Sequence, residues 1–209
     1  MSIVKLNNNG VKNATSFGSV SSGAMTFIKK LTASSSATLS FVDGASSVVL
    51  DNTYKEYLFT FKNIHPSAGA NFQFQGNAAG GSGFNETMTT TFFYAYVKEA
   101  GSSDGVLMYN QGGDQAQGTG YQNIAQDGTN NDADGNLGGY LHLFNPSSTT
   151  FRKHYISRTS NANGAGSTTY QCDCFSTGYF NTTSAIDEIS FKFSSGNIDA
   201  GDICLYGIN

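Results

Sequence analysis

No stretch of this chain carries apolar side chains at helical spacing, whereas about a dozen short segments alternate apolar with polar residues between clusters of Gly, Asn and Ser. A period of two places alternate side chains on opposite faces of a pleated strand. Ile189, Phe191 and Phe193 alternate with Ser190, Lys192 and Ser194; Tyr57, Phe59 and Phe61 with Leu58, Thr60 and Lys62; Phe72 and Phe74 with Asn71, Gln73 and Gln75. Parallel neighbours require long, usually helical crossovers, so strands without helices between them must pair antiparallel. The pattern predicts an all-β fold, a two-sheet antiparallel sandwich of jelly-roll-like form. An immunoglobulin domain is disfavoured because the chain has no Trp and no Cys-Trp-Cys spacing.

The candidate strands are 25–33, 37–42, 47–50, 54–64, 70–75, 87–97 and 106–109, then 139–144, 150–157, 168–175, 178–182, 189–193 and 203–208. Segment 87–97 is the longest and carries bulk on both faces, which predicts a central strand covered on both sides. The final two segments flank SSGNIDAGD, read as one long turn. A chain that closes with a strand is expected to place its function on the sheets, the loops or an N-terminal arm.

Length and composition support one sandwich at 23–209 preceded by an extended arm at 1–22. Charged residues are 12%, about half the usual ~25%, while Gly reaches 25 and Pro only 2, which suits short strands joined by tight turns. The arm is either a frayed terminus or a segment docked on a neighbouring subunit, with Ile3, Val4, Leu6 and Phe17 as its few anchors.

A net charge of −4 and a pI near 5.2 leave no basic stripe for phosphates, so no nucleic-acid partner is expected. The N-terminus lacks an apolar signal region and no run approaches the roughly 18 apolar residues of a membrane span, which predicts synthesis in a cytoplasm and no membrane partner. Three cysteines give no disulfide framework.

Residues 110–138 exceed an ordinary loop length, and a surface loop pinned by Tyr121 and Ile124 is expected there. Within it, Asn130, Asp132 and Asp134 before Gly135 resemble the first half of a calcium loop, but Leu141 stands where the bidentate Glu is required. Cys172 and Cys174 point the same way on one strand, and Cys204 and His154 could complete a zinc site only if the fold brought them together. The three histidines, His65, His142 and His154, accompany no nucleophile elbow or HExxH, and Asp187 and Glu188 fall on opposite faces of a strand. No catalytic residue, metal or cofactor is expected.

Leu141–Phe144 and Phe151–Tyr155 read as a hairpin turned at Asn145–Ser148. With Phe144 opposite Thr150, the residues Tyr140, His142, Arg152 and His154 share one face, where an aromatic ring beside cationic donors could grip a glycan or a partner's carboxylate. The alternative is the ordinary polar outer face of a sandwich.

Four stretches carry a resemblance: YKEYLFTFKNIHP at 54–66, GTGYQNI at 118–124, LFNPSSTTFRKHY at 143–155 and the ending SGNIDAGDICLYGI. Together they resemble a group of structural virion proteins from tailed bacteriophages of marine cyanobacteria and other marine bacteria. The ending is the most specific of the four, and the resemblance spans most of 25–209. It implies a place in the virion and no reaction, so no catalytic residues carry over. Two roles follow as expectations. One is a capsid decoration or head-fibre-like knob held through its arm to other virion proteins, as a homo-oligomer and specifically a trimer. The other is a tail-fibre or lectin-like host-recognition module that binds surface glycan through the 110–138 loop or the Tyr140 face.

Overall fold

A computed structural model describes residues 24–101, 105–126, 128–164 and 169–209. The arm at 1–22, with Ile3, Val4, Leu6 and Phe17, lies outside the described residues. Within them the chain is all-β, a sandwich of two antiparallel sheets, and no helix is long and apolar enough to cross a membrane.

Thirteen strands follow in order: β1 (Met25–Thr32), β2 (Leu39–Val42), β3 (Glu56–Pro66), β4 (Phe72–Ala78), β5 (Met88–Lys98), β6 (Val106–Tyr109), β7 (Ala116–Gly118), β8 (Gln122–Asn123), β9 (Leu137–Phe144), β10 (Lys153–Asn163), β11 (Tyr170–Phe180), β12 (Ile186–Phe193) and β13 (Ile198–Ile208). A 3-10 turn occupies Gln111–Gly113. The large sheet runs β1-β13-β3-β9-β10-β11-β5-β6, with β7 also paired to β5; the small sheet runs β2-β12-β4-β8. From β1 to β5 the chain crosses between the sheets at every connection. The last two strands do likewise, so β12 and β13 belong to opposite layers and not to one hairpin.

The phenylalanines that alternate in the sequence meet between these layers. Phe191 of β12 is the hub, with ring centroids 5.3 Å from Phe59 and from Phe61 of the large sheet and 6.3 Å from Phe41 of the small one. Phe74 packs edge-on against Tyr155 at 4.7 Å. All these rings are buried, and burial of aromatic area at this density dominates the stabilisation of a sandwich core.

Four strands cannot cover nine, and the segment 110–126 extends the cover. Buried polar side chains fasten its backbone: Gln75 Nε2 donates to the carbonyls of Thr119 and Gly120, Gln122 Nε2 to that of Gly113, and Thr159 Oγ1 to that of Ile124. This accounts for polar groups in the interior, since a loop carries backbone that only side chains or water can satisfy. Ile124 is fully buried, and Tyr121 lies beneath the Lys192 ammonium at 4.4 Å. Thr129 then bridges Ala70 on one side and Asn163 on the other.

Four expectations differ from the structure. The segments 168–175 and 178–182 are one strand, β11, through Gly178, where a Cβ would stand 2.5 Å from the Thr89 carbonyl. The glycine thus permits close strand approach and does not mark a turn. Segment 87–97 lies next to the sheet edge, and its second row of bulk faces outward, where Phe93 stacks on Phe175 at 4.8 Å. Residues 47–50 form no strand.

In SSGNIDAGD only Ser194–Asn197 turns the chain; β13 begins at Ile198 and bulges against β3. Gly201, at φ 112°, sits in that bulge, where a Cβ would stand 2.5 Å from the Asn63 carbonyl oxygen. The conformation and the close approach both select glycine.

Candidate functional site

The outward face of the large sheet carries one continuous cross-strand row. Strand register aligns Tyr109, Phe93, Phe175, Arg158, Tyr140, Thr60, Cys204 and Lys30 side by side from the β6 edge to the β1 edge. Phe93 and Phe175 stack within 7° of parallel, and the Arg158 guanidinium covers the far side of Phe175 at 4.8 Å. Arg158 also grips Asp173 with two hydrogen bonds, Nε to Oδ1 at 3.0 Å and Nη2 to Oδ2 at 2.8 Å. A planar guanidinium held by both a ring and a carboxylate has little rotational freedom.

Beside this tall row runs a short one, Leu107, Ala95, Asp173, Ser160 and Gly138. The step in height at its β9 end leaves a trough of about 410 Å³ lined by Gly138, Gly139, Tyr140, Arg158, Ser160, Gln171 and Asp173. A second hollow of about 300 Å³ continues from it, sharing Gly138, Ser160 and Gln171 and reaching Asp134 and Asn136. The 110–138 segment and the Tyr140 face, separate candidates in the sequence, therefore border the same groove. Gln171 Nε2 donates to Ser160 Oγ at 2.7 Å and to the Cys172 carbonyl at 3.0 Å, which fixes its amide. Tyr140 is 38% exposed at the groove wall.

The expected quartet divides into three places. The β9/β10 register sets Ile156, not Arg152, opposite His142, four residues beyond a tight hairpin. The reason lies in residues 145–152, which form a long docked loop in which the Pro146 carbonyl accepts from Ile186 N at 2.9 Å. An even shift keeps each side chain on its face but changes its neighbours. Tyr140 now lies opposite Arg158. His142 Nε2 sits 2.9 Å from the Glu56 carboxylate and its ring 4.3 Å from Phe144. Arg152 precedes β10 and covers the Tyr179 ring at 4.8 Å, with the His154 ring 5.4 Å from the same tyrosine.

Sequence reasoning missed Arg158, Asp173, Gln171 and Ser160. One signal was available: Asp173 is the lone charge in β11 and Arg158 the lone outward formal charge in β10, since Lys153 is buried. Opposite charges in the middle of consecutive strands are cross-strand neighbours in an antiparallel pair.

The other candidate chemistry takes structural form. Asn130 Oδ1 accepts from Asp132 N at 2.6 Å and Asn130 Nδ2 donates to Asp132 Oδ2 at 2.9 Å, an Asx turn closed on itself. His65 contacts the Gly135 carbonyl. Cys172 and Cys174 are buried on the inward face of β11, Cys204 is buried in the outward row on β13, and none of the three is in a disulfide. Burial pushes the Cys174 thiol up to about 12. Burial, and then the neighbouring Glu188 charge, raise Asp187 above the usual carboxylate range. Among the described residues no cluster of three or more His, Cys, Asp or Glu is placed to hold a metal ion. A second recess, about 260 Å³, opens on the inward side near β6 and is lined by Tyr94, Tyr96, Met108, Asn163, Tyr170 and Cys172.

The chain matches no family model, no curated protein and no solved structure.

Proposed function

We propose that this protein is a non-enzymatic structural component of a tailed-phage virion, a capsid decoration or head-fibre-like knob attached to other virion proteins through residues 1–22. The observation that carries the reading is the edge strand β6. All four of its residues, Val106, Leu107, Met108 and Tyr109, are exposed, with Leu107 at 74% and Tyr109 at 62%. Asn110 N donates to the Phe92 carbonyl, and the antiparallel alternation from that bond turns the backbone groups of Leu107 and Tyr109 away from β5. An open edge with apolar side chains and no charge is a template for pairing with another chain. The opposite edge, β1, exposes Met25 and Phe27 but is guarded by Lys29 and Lys30.

Two unlike edges on one body favour a heterologous contact that closes into a ring, here a trimer assembled in the host bacterial cytoplasm and carried on the particle. The test is copy number by quantitative mass spectrometry of purified virions. Hundreds of chains per particle support decoration, whereas about a dozen argue for a tail position, from particle symmetry. Removing residues 1–22 should abolish incorporation; a truncated chain that still joins the particle rules out the arm as anchor.

A second reading, a tail-fibre or lectin-like module recognising host glycan, is favoured by one observation: the groove beside Tyr140, where a stacking ring and rigidly held polar groups share a wall. Low copy number together with glycan binding would select it over the first.

A further inference from the structure

We propose that the groove between Tyr140 and Gln171 is a saccharide subsite for a neutral hexose unit, an assignment that rests on the recognition reading and names its ligand class. The floor is made by the absence of side chains. Gly138 and Ser160 face each other across β9 and β10, while Tyr140, Arg158 and Asp173 stand beside them. A hexose presents a flat face of C–H groups and a rim of hydroxyls. Tyr140 offers a partly exposed ring for the first, and Ser160, Gln171 and Asn136 offer donors and acceptors for the second.

Charge decides the ligand class. Among the described residues the one cation lining the groove, Arg158, is already neutralised through two hydrogen bonds to Asp173, and its other side is covered by Phe175. Asp134 stands at the far lip. An anionic ligand, whether phosphate, sulfate or uronate, meets no unpaired positive charge in this groove, whereas a neutral polyhydroxyl ligand meets fixed hydrogen-bonding groups at no cost in ion pairing. All the walls except the Asp134–Asn136 lip lie on paired strands, so the groove is held before ligand arrives.

The geometry also supplies a blocking substitution. A Cβ on Gly138 would find only the Phe61 carbonyl oxygen, at an ordinary 3.7 Å, so G138L can fill the trough without disturbing the backbone. At Gly139 a Cβ would overlap the Arg158 carbonyl, and that position is unsuitable.

The experiment is an amide chemical-shift titration of the full chain with hexaoses of glucose, mannose and galactose, alongside a sulfated oligosaccharide. The expected result is saturable shifts at Gly138, Ser160 and Gln171 with at least one neutral hexaose. Affinity should fall about tenfold or more in G138L and in Y140A, a change that corresponds to about 1.4 kcal/mol or more. Dispersed spectra of both variants check folding, and Q171A serves as a third probe if G138L misfolds. Saturable shifts that lie elsewhere and persist in G138L overturn the groove while leaving the recognition reading intact. No shifts with any neutral hexaose overturn both, and tighter binding of the sulfated ligand overturns the neutral class.

Discussion

The ring of Tyr54 occupies the space that a side chain at Gly207 would need, so the strand that ends LYGI can lie where it does only with hydrogen at that position. Tyr54 in turn packs edge-on against Tyr57 at 5.8 Å. The strand stretch that begins near Tyr54 and the C-terminal strand thus touch through this pair. G207A is expected to cost about 1–3 kcal/mol by overpacking. In urea unfolding, Y54A combined with G207A should lose less than the sum of the single changes, because removing the ring frees the space. Strict additivity would show that the contact carries no coupling.

Much of this architecture was legible in the period-two pattern, and the exceptions share a cause. Phe61, Phe72, Phe74 and Phe191 announce their inward faces because each alternates with polar neighbours, Phe59 follows from its register with Phe61, and they meet as the core. Gly178 misleads because the same residue type serves turns and close strand packing; only the neighbouring β5 backbone distinguishes the two. The groove was half legible. Tyr140 was visible as an outward aromatic, but its partner depends on how a loop docks against β12, and a contact between Pro146 and Ile186 leaves no local signature.

Phe191 touches rings from both sheets, so its truncation removes contacts that no single neighbour can restore. F191A should destabilise by about 3–5 kcal/mol, and F191L by clearly less because most of the volume is retained. Equal losses for the two variants in urea denaturation would show that ring geometry and not volume sets the cost.

Alkaline pH should weaken the fold. Burial raises the Tyr57 phenol to about 12, holds the fully buried Tyr155 above its ordinary value and pushes Cys174 to about 12. The unfolded chain ionises these groups at about 8.5 for the thiol and about 10 for the phenols, so between there and pH 12 the folded state binds more protons than the unfolded one. Stability is therefore full below about pH 8 and falls as pH rises through that window. Denaturation midpoints measured from pH 7 to 11 check the sign; a midpoint that stays flat or rises would contradict it. The same burial predicts that Cys174 resists alkylation at pH 8 until the protein is unfolded.

The β6 edge supplies the most direct test of assembly. Leu107 projects from an unguarded strand at 74% exposure and contributes nothing to the buried core, so replacing it should spare the fold while changing the edge. Lysine is the natural choice, because the opposite edge already carries Lys29 and Lys30 and edge lysines oppose strand addition through their charge and hydration. L107K is expected to keep the wild-type circular dichroism and urea midpoint, within about 0.5 kcal/mol as for an exposed position. In sedimentation velocity the wild-type chain should run as an oligomer and L107K as a monomer. K29L, which removes one guard from β1, should leave the wild-type oligomer intact or enlarge it. A monomeric wild-type chain, or an L107K oligomer indistinguishable from it, would remove β6 from the assembly surface and leave attachment to residues 1–22 alone.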